Sequence, residues 1–415
     1  MNARTILAAT CAAVLALLAG APALAQLGLP PVGQTVGGVV DGTLGTVGRT
    51  LDPVTGEAEA IGRAAASLAN ARLERLDRLV RRNRDAIERD ANGDPAVKGE
   101  LLVVDPEPRA LEAARAAGFA VAGEDKLGEL GLSVTRLAVP AGMDLAGAQK
   151  RIEALMPGAQ ISADTLNFQA GGTQGAKRGI DQRTKPAIAA SVGMIDGAPG
   201  ASIPVAATRG FAAGAPAPSN HGSAVASLLA SAGVRTIYVA DVYGTDRAGG
   251  NALAIARGLD WLLGRGAKVV SISLVGPPNP LLARAVAAAQ RKGAVVVAAV
   301  GNDGPAAPPS YPASYPGVLA ITAVDGHDRA LIEAGRALHI DYAAPGADML
   351  AEDAKGRWRG VRGTSYATPL AAARAAAALD ARGTVTATLD REAQRLSPAA
   401  AFGRGLLCAT CRRTR

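Results

Sequence analysis

The second half of the chain alternates short apolar runs with helical stretches, and this alternation is the strongest constraint on the fold. Such runs are typical of strands buried on both faces of a sheet. The expected strands are Ala189–Ile195, Thr236–Asp241, Val269–Leu274, Val295–Val300 and Val318–Val324. The expected helices are His221–Ala232, Asn251–Leu263, Pro280–Arg291 and Ser365–Leu379. The pattern predicts an α/β fold with a doubly wound, mostly parallel sheet.

Three polar residues stand where such a fold places its chemistry. Asp196 ends the first predicted strand, and α/β proteins bind ligands at the carboxyl ends of parallel strands. His221 begins one small-residue helix, and Ser365 begins another just before Pro369, which a first turn tolerates. A helix N-terminus favours negative charge, which suits a serine whose reaction forms an oxyanion. A simple helix cap is the alternative interpretation of such a serine.

A fourth polar residue, Asn302, follows an apolar run and lies in Asn-Asp-Gly, which is also an ordinary turn signal. The order Asp, His, Ser along the chain is the order found in subtilisin. Three segments match boxes of one family: His221–Ala226, Gly363–Pro369 and Val300–Gly304. On these residues the chain resembles the subtilisin-like serine peptidases, and the resemblance extends over about Ser191–Leu407.

By this resemblance, the chain is expected to hydrolyse peptide bonds through a catalytic triad. Ser365 is the expected nucleophile, and His221 is the base that takes its proton. Asp196 is expected to fix the tautomer of the imidazole and to stabilise the imidazolium. Asn302 is expected to donate to the oxyanion together with the Ser365 backbone N–H.

The resemblance also implies an extended peptide substrate, bound by strand addition. The residues expected to bind it are Ser273, Leu274, Val275 and Gly276 on one edge, Gly249 and Gly250 on the other, with Ala299 and Gly301. Val275 stands where the family commonly has glycine. Its side chain is therefore predicted to narrow the pocket for the residue before the cleaved bond.

A region with its own pattern of predicted strands and helices precedes the predicted peptidase domain. Lys98–Phe168 has the β-α-β-β-α-β order of a small ferredoxin-like domain and resembles the propeptide of many subtilisin-like peptidases. It is therefore expected to be a cleavable prosegment and an intramolecular inhibitor; a permanent accessory domain is the alternative. Before it, Ala60–Asp90 predicts an Arg-rich amphipathic helix with Leu73, Leu76, Val80 and Ile87 on one face.

The N-terminus has the pattern of a secretion signal, with Arg4, the apolar run Ile6–Leu18 and the cleavage motif Ala23–Ala25. Export to the periplasm, cell surface or medium is therefore expected, and Cys408 and Cys411 are expected to form a small disulfide or stay free. The expected organisation is a signal peptide (1–25), a Gly-rich segment and helix (26–95), a propeptide-like domain (96–170), a linker (171–185), a peptidase domain (186–407) and a tail (408–415).

Composition argues against several other kinds of partner. The net charge is +8, but the basic residues form no long runs and nucleic-acid-binding motifs are absent, so no nucleic-acid partner is expected. No apolar run reaches the length of a membrane span, and membrane association is not expected. A membrane-surface role for the Arg-rich helix is the alternative. No cofactor is expected, and the sequence does not indicate a structural calcium ion.

Two other functions fit parts of the pattern. Sedolisin-like peptidases share a Gly-Thr-Ser box but use Glu and Asp in place of His, so the presence of His221 and Gly222 argues against them. A catalytically inactive secreted scaffold would keep the fold and lose turnover. The presence of all four catalytic residue types favours the enzyme.

Overall fold

The computed structural model describes residues 52–173, 186–381 and 384–411. The expected signal peptide, the Gly-rich segment up to residue 51 and most of the linker lie outside these residues. The chain divides into two compact units, Met1–Gly62 and Arg63–Arg415. In the first unit the structure describes residues 52–62, which are helical. Apart from the start of the first helix, the features below belong to the second unit.

An antiparallel sheet with two helices precedes the larger domain. Its strands are β1 (Ile87–Arg89), β2 (Pro95–Val104), β3 (Ala120–Leu127), β4 (Leu132–Ala138) and β5 (Gln160–Thr165), and its helices are α2 (Pro108–Ala116) and α3 (Leu145–Leu155). The strand order β5-β2-β4-β3 is that of a ferredoxin-like domain, as predicted. Leu101, Val103, Phe119, Leu137 and Ile152 form its core.

The N-terminal helix ends earlier than the sequence predicts. Helix α1 spans Asp52–Arg82, and the Asn83 side-chain amide donates to the Leu79 carbonyl (2.9 Å) just beyond its last turn. Ile87 belongs to β1, where it pairs with Val97. The prediction that the helix continues through Ile87 is therefore wrong, and the sheet begins before residue 96. Among the described residues, no helix combines the length and apolar character needed to cross a membrane.

Seven parallel strands form the larger sheet, in the order β15-β14-β13-β11-β8-β10-β9. They are β8 (Val192–Asp196), β9 (Ala207–Gly210), β10 (Ile237–Asp241), β11 (Val269–Ile272), β13 (Val295–Ala299), β14 (Leu319–Val324) and β15 (Tyr342–Pro345). The helices α4 (Asn220–Ser231), α5 (Ala252–Gly264), α6 (Pro280–Arg291) and α7 (Thr364–Asp380) cover it. Because β8 lies inside the sheet and later strands extend to both sides of it, the predicted doubly wound sheet is confirmed.

The remaining elements are short. They are the strands β6 (Phe168–Gln169), β7 (Gly172–Thr173), β12 (Leu274–Val275), β16 (Met349–Glu352) and β17 (Trp358–Arg362), the helices α8 (Val385–Glu392) and α9 (Ala399–Phe402), and a 3₁₀ turn (Ala409–Cys411). Cys408 and Cys411 form a disulfide. Both cysteines are buried in the core of the larger domain, so the described part of the predicted tail, residues 408–411, packs on that domain.

Helix α7 carries Pro369 in its interior, beyond the first turn in which the sequence places it. A proline there has no N–H for the carbonyl four residues earlier, which belongs to Ser365. The Ser273 hydroxyl donates to that carbonyl instead (2.9 Å). A side chain from the loop after β11 therefore satisfies the acceptor that the proline leaves free and ties α7 to the sheet.

The small domain rests on helices α5 and α6 of the larger one. Asp164, at the end of β5, is fully buried and accepts the backbone N–H of Leu253 in the first turn of α5 (2.9 Å). Asn279, which caps α6, donates to the carbonyl of Ala163 (3.0 Å). Buried hydrogen bonds of this kind are costly to leave unmade, so they hold the two domains together.

Candidate active site

Asp196 and His221 meet at the carboxyl edge of the parallel sheet. Asp196 is the last residue of β8 and is fully buried, and His221 is the second residue of α4. The imidazole Nδ1 lies 2.9 and 3.0 Å from the two carboxylate oxygens. A carboxylate can only accept here, so Nδ1 carries the proton and Nε2 keeps its lone pair. Nε2 is buried and makes no hydrogen bond to a described residue, so it is available as a base.

Ser365 is the second residue of α7 and is fully buried. Its hydroxyl donates to the Ser273 carbonyl (3.0 Å). The ring of the next residue, Tyr366, lies 5.6 Å from the His221 ring between centroids. Burial raises the pKa of the Tyr366 phenol, which therefore stays neutral beside the imidazole.

Two donors converge on one backbone carbonyl, that of Ala170. The Ser365 backbone N–H donates to it (3.1 Å), and so does the Asn302 side-chain amide. The Asn302 side-chain oxygen accepts the Thr364 N–H (3.0 Å), which fixes the amide orientation. Ser365 and Asn302 thus lie together around this carbonyl. This is the arrangement of an oxyanion hole already occupied by a peptide carbonyl.

We expect Asn302→Ala to lower kcat by about 10²–10³-fold with little change in KM, the size of loss seen when a subtilisin loses one such donor. The physical reason is that the hydrogen bond from the side-chain amide becomes stronger as negative charge develops on the carbonyl oxygen. Steady-state kinetics on a peptide substrate measures this split. Asn302→Asp, which keeps an acceptor for Thr364 but removes the donor, should lose at least as much. A rise in KM alone would make Asn302 a substrate-binding group instead.

The peptide on both sides of Ala170 lies in the cleft as an added strand. Before it, β6 pairs antiparallel with β12, with Gln169 opposite Leu274. The Ala170 N–H donates to the Ser273 carbonyl (3.3 Å). After it, β7 pairs antiparallel with β17, with Gly172 opposite Arg362. The bond between Ala170 and Gly171 therefore lies at the point where a peptide substrate would be cut.

The expected substrate-binding residues lie around this strand, with one difference. The Gly250 carbonyl accepts the Asn167 N–H (2.8 Å). A Cβ added to Gly276 would collide with the Asn167 side-chain oxygen, so Gly276 also lies against this residue. Gly249 instead lies in the preceding turn, where its N–H donates to the carbonyl of Asp246 (3.2 Å). The described contacts place the backbone of Gly249 against that turn rather than against the strand in the cleft.

The space next to the Ala170 side chain, where the sequence predicts a pocket, is small. Ala170, Val275 and Ala299 form one buried cluster. A Cβ on Gly301 would lie 3.3 Å from the Val275 Cγ1, so Val275 faces Gly301 across the space next to Ala170. Its isopropyl group therefore limits the room that a larger side chain would need.

We expect Val275→Gly to allow cleavage of peptides with large side chains just before the cleaved bond, because the substitution removes the isopropyl group from the pocket. A peptide library that varies this one position measures the change. Val275→Ile is the matched control: it keeps the bulk and should keep the preference for small residues. An unchanged profile in Val275→Gly would show that another residue bounds the pocket.

Two residues next to the predicted catalytic residues were not predicted. Gln169 donates from its side-chain amide to the Asp196 carboxylate (3.0 Å). At Gly171, an added Cβ would lie 2.7 Å from the Tyr366 ring, so a side chain there would collide. The sequence signal for both was weak: they stand at the boundary between the small domain and the linker, where a small residue is followed by two glycines.

No group of three or more His, Cys, Asp or Glu side chains that could hold a metal ion occurs among residues 52–173, 186–381 and 384–411. The expectation that the protein needs no cofactor or metal stays a prediction.

Residues 209–401 match a family model described as the subtilase family. Thermitase of Thermoactinomyces vulgaris is 35% identical over 156 residues, which are 37% of this chain and 54% of that protein. Subtilisin BL of Lederbergia lenta is 35% identical over 167 residues, covering 38% of this chain and 61% of that protein. The chain thus spans less than two thirds of these relatives' length.

The fold is also shared with a solved structure. The crystal structure of fervidolysin from Fervidobacterium pennivorans, a keratinolytic enzyme related to subtilisin, superimposes with a TM-score of 0.62 at 17% identity. The match covers 78% of this chain and 61% of that one. The predicted fold class is therefore confirmed.

Proposed function

We propose, on the premise that residues 209–401 belong to the subtilase family, that this protein is a serine endopeptidase made as a precursor that cuts itself between Ala170 and Gly171. The residues before the cut would be the prosegment, which inhibits by filling the cleft. Exported polypeptides or peptides in the same compartment would be the later substrates.

The observation that carries the proposal is the Ala170 carbonyl, which accepts hydrogen bonds from both the Ser365 N–H and the Asn302 amide. These donors hold the carbonyl oxygen where negative charge would develop. The antiparallel strands β6 and β7 hold the chain on both sides of it. The precursor's own backbone therefore lies in the cleft as a substrate would.

The reaction follows from this geometry. The Ser365 hydroxyl turns from the Ser273 carbonyl to the His221 Nε2, gives up its proton there and attacks the Ala170 carbonyl carbon. Asp196 holds the imidazole and stabilises its charged form. The imidazolium then gives the proton to the Gly171 nitrogen as the peptide bond breaks. Water hydrolyses the resulting ester between Ser365 and Ala170 and restores the enzyme.

A groove of about 810 Å³ lies beside His221 and Gly171 and is open to solvent. It gives the water needed for the second step a route to the catalytic histidine. It also gives the new N-terminus at Gly171 a way out of the cleft after the first step.

The test combines labelling with mass spectrometry of the purified full chain. A serine-directed phosphonate should label Ser365, and the larger product should begin at Gly171. A protein that is neither labelled nor cut, while folded, would instead be the inactive scaffold. Labelling without a cut near Gly171 would keep the peptidase and make the α+β region a permanent accessory domain.

A further inference from the structure

The Arg63–Arg82 part of helix α1 lies against the larger domain next to the proposed oxyanion hole. Asp303, which directly follows Asn302, accepts a hydrogen bond from the Arg75 guanidinium (2.7 Å). Arg72 approaches the other carboxylate oxygen at 3.3 Å. The side chains of Asp303 and Arg72 are each only 20% exposed, so solvent screens the Arg72–Asp303 ion pair less than it screens a pair on the open surface. Two arginines of one helix are thus aimed at one carboxylate of the peptidase domain.

An apolar contact supports the ion pair one turn earlier on the same helix. A Cβ built on Gly304 would lie 3.0 Å from both the Cβ and the Cδ1 of Leu68. Gly304 also has φ +81°, a conformation that side chains rarely adopt. The absence of a side chain at Gly304 therefore lets the helix approach Asp303 closely.

The C-terminal half of the helix reaches the strand that fills the cleft. Leu79 and Val80 pack in one cluster with Leu166, Phe168 and Ala248. Phe168 lies in β6, two residues before Ala170, and Ala248 belongs to the peptidase domain. The helix therefore shares one apolar cluster with residues just before the proposed cut and with a residue of the peptidase domain.

These contacts add to those made by the α+β domain. That domain rests on α5 and α6, whereas the Asp303 contact lies beside the cleft. After a cut at Ala170, both regions remain covalently joined to β6. Linked contacts raise the effective concentration of the product strand in the cleft and slow its departure.

Resting on the proposed function, we propose that Asp303 and Gly304 form a docking site for the prosegment helix Arg63–Arg82, and that this contact retains the cleaved prosegment on the enzyme. The site recognises an amphipathic helix that presents a leucine and two arginines on one face. Its occupant in the precursor is the chain's own helix.

The test uses the full chain with Arg72→Ala/Arg75→Ala. Both substitutions lie in the prosegment, so the mature enzyme has the wild-type sequence. The rate of cutting at Ala170 should stay unchanged, since neither arginine touches the reacting atoms. Release of the prosegment, followed by native mass spectrometry, and the rise in peptide hydrolysis should become about 10-fold faster, because a partly buried carboxylate loses two charged partners.

Arg78→Ala/Arg81→Ala is the matched control. It removes two positive charges from the same helix, but Arg78 pairs with Glu74 of that helix and both arginines are exposed. This control should release its prosegment at the wild-type rate. Equal acceleration in both variants would overturn the docking site and point to helix stability or net charge as the cause.

A second measurement does not depend on cutting. In the uncut Ser365→Ala chain, amide hydrogen exchange in α1 should speed up with Arg72→Ala/Arg75→Ala and not with the control. Unchanged exchange together with unchanged release would overturn the docking site and leave the proposed peptidase intact. A wild-type chain that is never cut would overturn the proposed function and retention with it.

Discussion

Ser365→Ala should leave the chain uncut between Ala170 and Gly171, whereas the wild-type chain should be converted to a product that begins at Gly171. The substitution removes the oxygen that forms the bond to the Ala170 carbonyl carbon and leaves the strand in the cleft. The loss should be roughly 10⁶-fold, the size seen when a subtilisin loses its nucleophile. Intact mass measured over time on both proteins gives the two rates directly.

Ser271→Ala is the matched control for this experiment. Ser271 is a fully buried serine of β11, and its hydroxyl has no partner among the described residues. Removing that hydroxyl should leave self-cleavage near the wild-type rate. If Ser365→Ala is cut as fast as wild type, the assignment of the nucleophile is wrong.

Asp196→Asn should slow cleavage by about 10⁴-fold, the loss that this change causes in a chymotrypsin-like triad. An asparagine amide in place of the carboxylate can donate to Nδ1 of His221. The proton then moves to Nε2, the atom that must accept the serine proton. The rate of self-cleavage and the activity of any mature product both measure the effect.

Asp241→Asn separates this role from a structural one. Asp241 lies beside Asp196 in the sheet register, is equally buried, and accepts backbone N–H groups including that of Ala217 (2.7 Å). Its replacement should lower stability but leave the rate of the folded fraction much closer to wild type. A similar loss in the two variants, at matched folding, would argue against a special role for Asp196.

The parallel sheet was predictable because its inner strands are buried on both faces and read as unbroken apolar runs. The edge strand β9 was missed because Ala207–Gly210 includes Arg209 and is only partly buried, so no such run exists. The end of α1 was misplaced because Ile87 continues the apolar spacing of the helix by coincidence. Its burial comes from pairing with Val97 in a sheet.

Asp196 ends a strand, and His221 and Ser365 lie in the first turns of two helices, positions that the sequence pattern indicates. Asn302 lies three residues after the end of β13. The strand in the cleft was not predictable. It is only two residues long on each side of Ala170 and Gly171. Its partners lie more than a hundred residues further along the chain. Strands of two residues are too short to show a repeating pattern of apolar residues in the sequence. Only the folded structure brings this segment to Ser365.

The strand that occupies the cleft is part of the same molecule as Ser365, and this would fix the kinetic order of the proposed first cut. The Ser365 N–H already donates to the Ala170 carbonyl (3.1 Å), so the approach of the two residues does not depend on the protein concentration. Diluting the precursor should leave the half-time of its first cut unchanged. Each precursor molecule would thus make its own first cut, without needing a second copy that is already active.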